Sequence, residues 1–126
     1  MGDQAPIPES YLPLTAAVLD IMVALGDEEL HGYAIMKEVR RRTDGQRRLA
    51  PGTLYRSLKQ MEQRGWVAPS EERPEPSLDD ERRRYYRLTE FGRRVALAEV
   101  ERLEGLVGAA RLKGFIPSPR PSGADA

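Results

Sequence analysis

Arg56, Lys59, Gln60 and Gln63 recur at three- and four-residue spacing in the run Gly52-Thr53-Leu54-Tyr55-Arg56-Ser57-Leu58-Lys59-Gln60-Met61-Glu62-Gln63-Arg64-Gly65-Trp66-Val67. At 100° per residue they share one side of a helix whose opposite side carries Leu54, Leu58 and Met61. Long side chains ending in guanidinium, ammonium and amide groups suit hydrogen bonding to base edges and pairing with phosphate. A second basic run, Arg82-Arg83-Arg84-Tyr85-Tyr86-Arg87-Leu88-Thr89, has strand character. Period two puts Arg84, Tyr86 and Leu88 on one side and Arg83, Tyr85 and Arg87 on the other, with Tyr86 and Leu88 toward the core. A one-sided helix closed by Gly65 and followed by a basic strand reads as the reading helix and wing of a winged helix-turn-helix. Duplex DNA is the expected partner.

The elements that must hold these residues follow from periodicity and punctuation. Leu14, Val18, Met22 and Leu25 form one apolar stripe, stopped by Gly26, and predict a first helix. Asp27 to Leu30 is expected to be a connection. Tyr33, Ile35, Met36 and Val39 predict a second helix, ending near Thr43 before the turn signal Asp44-Gly45. Pro51 suits the first turn of the third helix, because its missing N–H has no partner there anyway. Trp66-Val67 starts a short strand, and Pro69 to Glu81, with three prolines and six acids, is expected to be the loop of a hairpin. Thr89 is placed to cap a fourth helix through its hydroxyl, over Glu90 to Leu112, about 35 Å long.

The expected fold class is therefore mainly α with a small β-hairpin, an α+β winged helix-turn-helix with a long C-terminal helix. Residues 1–10 are expected to be a mobile segment, 11–88 the DNA-binding domain, 89–114 a dimerisation helix and 115–126 a disordered tail. Three short helices and a hairpin cannot cover the apolar stripe of so long a helix. A second copy of the chain is the expected cover, through Phe91, Val95, Leu103, Leu106, Val107 and Ala110.

Charge supports this division. The chain holds 20 basic and 20 acidic residues and is formally neutral, which alone argues against a nucleic-acid partner. The distribution argues the other way. Met1 to Met36 carries six acids and no Lys or Arg, Lys37 to Arg64 nine bases against three acids, Glu71 to Glu81 six acids and one Arg, and Arg82 to Arg94 six Arg and one Glu. Without cysteine there are no disulfides, thiolate metal sites or cysteine nucleophiles. One histidine and scattered carboxylates make no metal site, no cofactor motif is present, and no set of residues assembles into a catalytic constellation. With no secretory leader and no apolar run near 20 residues, a cytoplasmic location and no membrane partner are expected. His31, before Gly32, is read as a helix-end hydrogen-bonding group rather than a ligand.

His31-Gly32-Tyr33, the run Gly52-Thr53-Leu54-Tyr55 with Leu58 and Glu62 through Gly65, and Arg83 to Thr89 with Gly92 resemble the PadR family of bacterial transcriptional regulators. The resemblance spans about residues 14 to 112, and the single C-terminal helix is similar to that of the shorter subfamily. It implies a dimeric repressor of a palindromic operator in the bacterial cytoplasm, released by a small aromatic or cationic effector. One departure is Arg56, which stands where the family commonly has proline and adds a cation at the start of the reading helix.

Groove dimensions then assign roles. A major groove about 12 Å wide admits one helix, led by the outward residues of its N-terminal part. Thr53, Arg56 and Gln60 are expected at base edges. Arg47, Arg48, Lys59 and the Tyr55 hydroxyl are expected at phosphates, and Arg82 and Arg83 at the flanking backbone or minor groove. Trp66 is expected in the core at the base of the wing, and is also the aromatic that could stack on an effector. The competing reading is a winged-helix module for protein–protein contact with only weak, sequence-blind DNA binding.

Overall fold

The computed structural model describes residues 7–70 and 84–117. Three of its four α-helices begin with a side-chain acceptor for an N–H that has no partner inside the helix. Thr15 opens α1 (Ala16–Ala24) by accepting from the Val18 N–H at 3.2 Å. His31 opens α2 (Gly32–Arg42), its Nδ1 accepting from the Ala34 N–H at 3.2 Å, which is the helix-end role expected of it. Thr89 opens α4 (Glu90–Leu112), its hydroxyl accepting from the Gly92 N–H at 2.9 Å. The third helix, α3 (Pro51–Gln63), starts instead on Ala50 and Pro51.

The stripes pack as the spacing predicts, with additions. Val18, Met22 and Leu25 are buried, joined by Ile21 and Ala24. Ile35 and Val39 of α2 and Leu54, Leu58 and Met61 of α3 complete the centre of the core. Tyr33, expected on the inner stripe of α2, is exposed, with its ring stacked on His31 at 6.4 Å. Asp44 and Gly45 turn the chain in left-handed geometry, with φ of 53° and 80°, between α2 and α3.

The expected hairpin is part of a three-stranded antiparallel sheet. Its strands are β1 (Leu30–His31), β2 (Val67–Pro69) and β3 (Tyr85–Leu88), with β3 in the middle. Val67 faces Leu88 and Pro69 faces Tyr86 on one side, while Leu30 faces Tyr86 and His31 faces Tyr85 on the other. The connection read from Asp27 to Leu30 thus ends in a strand, too short at two residues for any period to show. Tyr86 is buried and Leu88 packs against the core, as alternation predicts. Most of the expected loop, residues 71–81, lies outside the described residues, as do Arg82 and Arg83 of the expected strand.

The described part of the N-terminal segment contains a short element that its composition does not suggest. Pro8–Tyr11 forms one 3₁₀ turn against α4, with the Tyr11 ring edge-on to Trp66 at 5.2 Å and to Phe91 at 6.1 Å. Two aromatic edges supply cover that a list of polar residues does not reveal. Just beyond, the Leu14 N–H donates to Glu99 Oε2 at 3.0 Å. Glu99 is almost fully buried on α4 and takes two further donors from Arg102, at 2.6 and 3.1 Å.

The Arg102 guanidinium bound to Glu99 holds its carboxyl below the usual carboxylate range, aided by the Leu14 N–H and opposed by burial. A carboxylate lowered on folding stabilises above its unfolded value, about 4.3 for glutamate, and that stability fades as pH falls through the folded value. Glu99→Ala should cost about 1–3 kcal/mol at neutral pH by leaving the Leu14 N–H unpaired. The part of that cost that comes from the ionised pair with Arg102 should be lost on acidification below pH 4, so the difference in thermal melting between wild type and variant narrows; a difference independent of pH excludes the carboxylate charge as a contributor.

Candidate nucleic-acid interface

The outer face of α3 is built by the burial of its inner face. Leu54, Leu58 and Met61 leave no freedom of roll, and Arg56, Lys59, Gln60 and Gln63 are exposed opposite them, as the spacing predicts. Thr53 is half-buried on the first turn. Among the described residues Arg56 and Lys59 enter no ion pair, so both charges face solvent. The first-turn N–H groups of α3, lacking a side-chain cap, put the positive end of the helix dipole beside them.

Two residues expected at phosphates have partners within the chain. Arg47 donates from Nε to Asp20 Oδ2 at 2.7 Å, and the same carboxylate accepts from Arg42 through Oδ1 at 3.0 Å. Tyr55 lies across the start of α2, where a Cβ built on Gly32 would stand 2.5 Å from its phenolic oxygen. Its ring is a packing surface between α2 and α3. Arg48, beside Arg47, is exposed and in no ion pair among the described residues.

Arg82 and Arg83 lie outside the described residues. Arg84 is half-buried at the start of β3 and Arg87 is exposed on it, across from Ala68. Trp66 is core, only 3% exposed, with Tyr11 edge-on and the Arg64 guanidinium 5.3 Å from its ring centroid. A ligand that stacks on this ring has to displace Tyr11 or Arg64.

The dimerisation set also divides. Val95 is fully buried in the chain's own core, and Phe91, half-buried, packs against that core and Tyr11. Leu103 and Ala110 are half-buried, whereas Leu106 and Val107 are exposed, at 60% and 42%. Further apolar surface comes from Leu97, Val100 and Val23. With Met22, Leu88 and Ala96 these line an open groove of about 440 Å³ between α1 and α4, with Arg93 at its edge. Arg93 also donates to the Gly26 carbonyl. Sequence reasoning missed Leu97 and Val100 because they lie about 100° or more around α4 from the buried Val95 and Ala98, on a second apolar flank that Val107 continues.

Residues 21–98 match the model of the transcriptional regulator PadR-like family. The chain belongs to the PadR family. Among solved structures, this PadR protein is similar to a transcriptional regulator from Clostridium thermocellum, with a TM-score of 0.66 and 24% identity over 82% of this chain and 100% of that one. A PadR family regulator from Clostridium difficile superposes with a TM-score of 0.64 and 24% identity, over 78% of this chain and 97% of that one. RosR of H. salinarum is 30% identical with a TM-score of 0.55, over 78% of each chain. No curated protein sequence matches. The family match carries the winged-helix fold expected from the residues. Among the described residues, no helix is long and apolar enough to cross a membrane.

The contact between Gly32 and Tyr55 couples the first helix of the motif to the second. Gly32→Ala forces a Cβ into the Tyr55 ring, a cost of about 1–3 kcal/mol for overpacking, against a helix-propensity gain of at most about 1 kcal/mol. Net destabilisation is expected in urea denaturation. It should shrink in a Tyr55→Leu background; an equal loss in both backgrounds places the cause elsewhere.

Proposed function

We propose that this PadR-family protein is a homodimeric transcriptional repressor that reads a palindromic operator with the outer face of α3. The observation that carries the reading is the pairing of a fully buried inner face with an outer face on which Arg56 and Lys59, without an ionic partner among the described residues, stand beside Gln60 and Gln63. Arg56 and Gln60, a turn apart, suit paired acceptors on guanine and the donor–acceptor edge of adenine, with Thr53 beside them. Lys59 and Arg48 suit phosphates, and Arg82 and Arg83 the flanking backbone. A twofold dimer would set two such helices about 34 Å apart, one turn of duplex. Leu103, Leu106, Val107 and Ala110, continued by Leu97 and Val100, are the proposed contact with the second copy. Release by a small aromatic effector has support in the apolar groove between α1 and α4. Among the described residues that groove is lined by Arg93 and no carboxylate, which favours a neutral or anionic aromatic over a cation.

Selection of bound duplexes from a random pool should return an inverted repeat. Binding should weaken steeply between about 50 and 200 mM salt as counterions are released. Arg56→Ala should relax preference at one base pair per half-site at a cost of about 1–3 kcal/mol, whereas Lys59→Ala should weaken all sites alike. Weak binding with no preferred sequence would instead favour a protein-interaction module. Leu106→Asp with Val107→Asp should convert a dimer to a monomer in sedimentation equilibrium and abolish operator binding. A wild-type monomer rejects the twofold arrangement.

A further inference from the structure

Asp20 is the only charged residue in α1, whose sequence is otherwise Ala-Ala-Val-Leu before it and Ile-Met-Val-Ala after it. A helix of that composition needs no acid for packing, and an acid at a core flank is costly unless it is paired. Its side chain is 14% exposed, and its two oxygens take different partners. Oδ1 accepts from Arg42, the last residue of α2, and Oδ2 from Arg47, in the turn that leads into α3. One carboxylate thereby joins α1, the end of α2 and the approach to the reading helix.

The turn is held from its backbone as well. The Arg47 N–H donates to Thr43 Oγ1 at 3.0 Å, and that hydroxyl donates to the Val39 carbonyl at 3.0 Å. Leu49, two residues on, is buried in the core, and Pro51 starts α3 two residues later. Between the left-handed residues Asp44 and Gly45 and the helix start, Arg47 supplies the only described side-chain tether of this turn to α1. Arg48, its neighbour, has no such tether.

We infer that Asp20 is a positioning residue for the reading helix, and that Arg47 acts through it as a strut of the α2–α3 turn rather than as a phosphate contact. The phosphate contact of this turn falls to Arg48. The inference deepens the DNA-binding reading and rests on it for its affinity measurements.

Plain electrostatics and positioning predict opposite signs. Asp20→Asn removes a negative charge near the proposed interface, which by charge alone tightens binding to a polyanion. If Asp20 positions α3, the same variant weakens operator binding, on the order of tenfold, as for a coupled pair. Asp20→Asn, Arg47→Ala and the double variant, made in the full chain, should then bind alike, with Asp20→Glu recovering part of the loss. The dependence of affinity on salt should keep the wild-type slope in Arg47→Ala and lose about one unit in Arg48→Ala. Binding by Asp20→Asn as tight as wild type, or a slope lowered in Arg47→Ala as in Arg48→Ala, overturns the assignment. Amide hydrogen exchange without DNA gives an independent reading: Asp20→Asn should speed exchange across residues 43–50 and leave β2 and β3 unchanged. Unchanged or uniformly faster exchange also overturns it. If wild type binds no duplex, the DNA reading fails, and exchange alone decides whether Asp20 holds the turn.

Discussion

Two consecutive peptide groups, Gly65–Trp66 and Trp66–Val67, tie the reading helix to everything that follows it. Gly65, at φ 77°, reverses the chain at the end of α3, and the Trp66 N–H returns to the Met61 carbonyl at 2.9 Å. The Trp66 carbonyl accepts the Thr89 N–H at 3.0 Å, while the Thr89 hydroxyl donates to the Gly65 carbonyl at 2.6 Å. The same Trp66 carbonyl lies so close to α4 that a Cβ on Gly92 would stand 2.0 Å from it. The end of α3, the first wing strand and the start of the long helix therefore share one junction. Roll or tilt of α3 strains this junction with the wing and α4, which couples the proposed DNA face to the proposed dimer face through backbone and the Thr89 hydroxyl.

Much of this was legible in the residues. The inner stripe of α3, the reversal at Gly65, the Thr89 cap and the full extent of α4 follow from local rules, because each depends on residues within a turn or two of one another. What was not legible depends on long-range pairing. β1 is two residues long and exists because β3 offers it a free edge. The 3₁₀ turn at Pro8–Tyr11 is held by Trp66, Phe91 and α4, all far along the chain. Val95 and Leu106 look alike in the sequence of α4, yet one meets the core and the other projects past its end.

The candidate site divides in the same way. Periodicity places Arg56, Lys59 and Gln60 on the outer face without knowledge of the fold. It does not reveal which arginines are neutralised. Arg41 is held by Glu38, Arg42 and Arg47 by Asp20, and Arg102 by Glu99, while Arg48, Arg56 and Lys59 have no ionic partner among the described residues. Exposed pairs such as that of Arg41 and Glu38 contribute little to stability, but they remove cations from the set that can meet a ligand. Pairing inside the protein thus takes Arg41, Arg42 and Arg47 out of the nine bases between Lys37 and Arg64.

That narrowing has a consequence for how the molecule moves in a field. With 20 charges of each sign it has no monopole, and ions screen it beyond roughly 8 Å in physiological salt. Uneven placement of those charges, with Arg48, Arg56 and Lys59 free of ionic partners among the described residues, would make it instead a dipole, which experiences torque from a nearby polyanion but little pull from a distant one. Such a body wanders freely between encounters and is turned to the correct orientation only in the last few ångströms of approach.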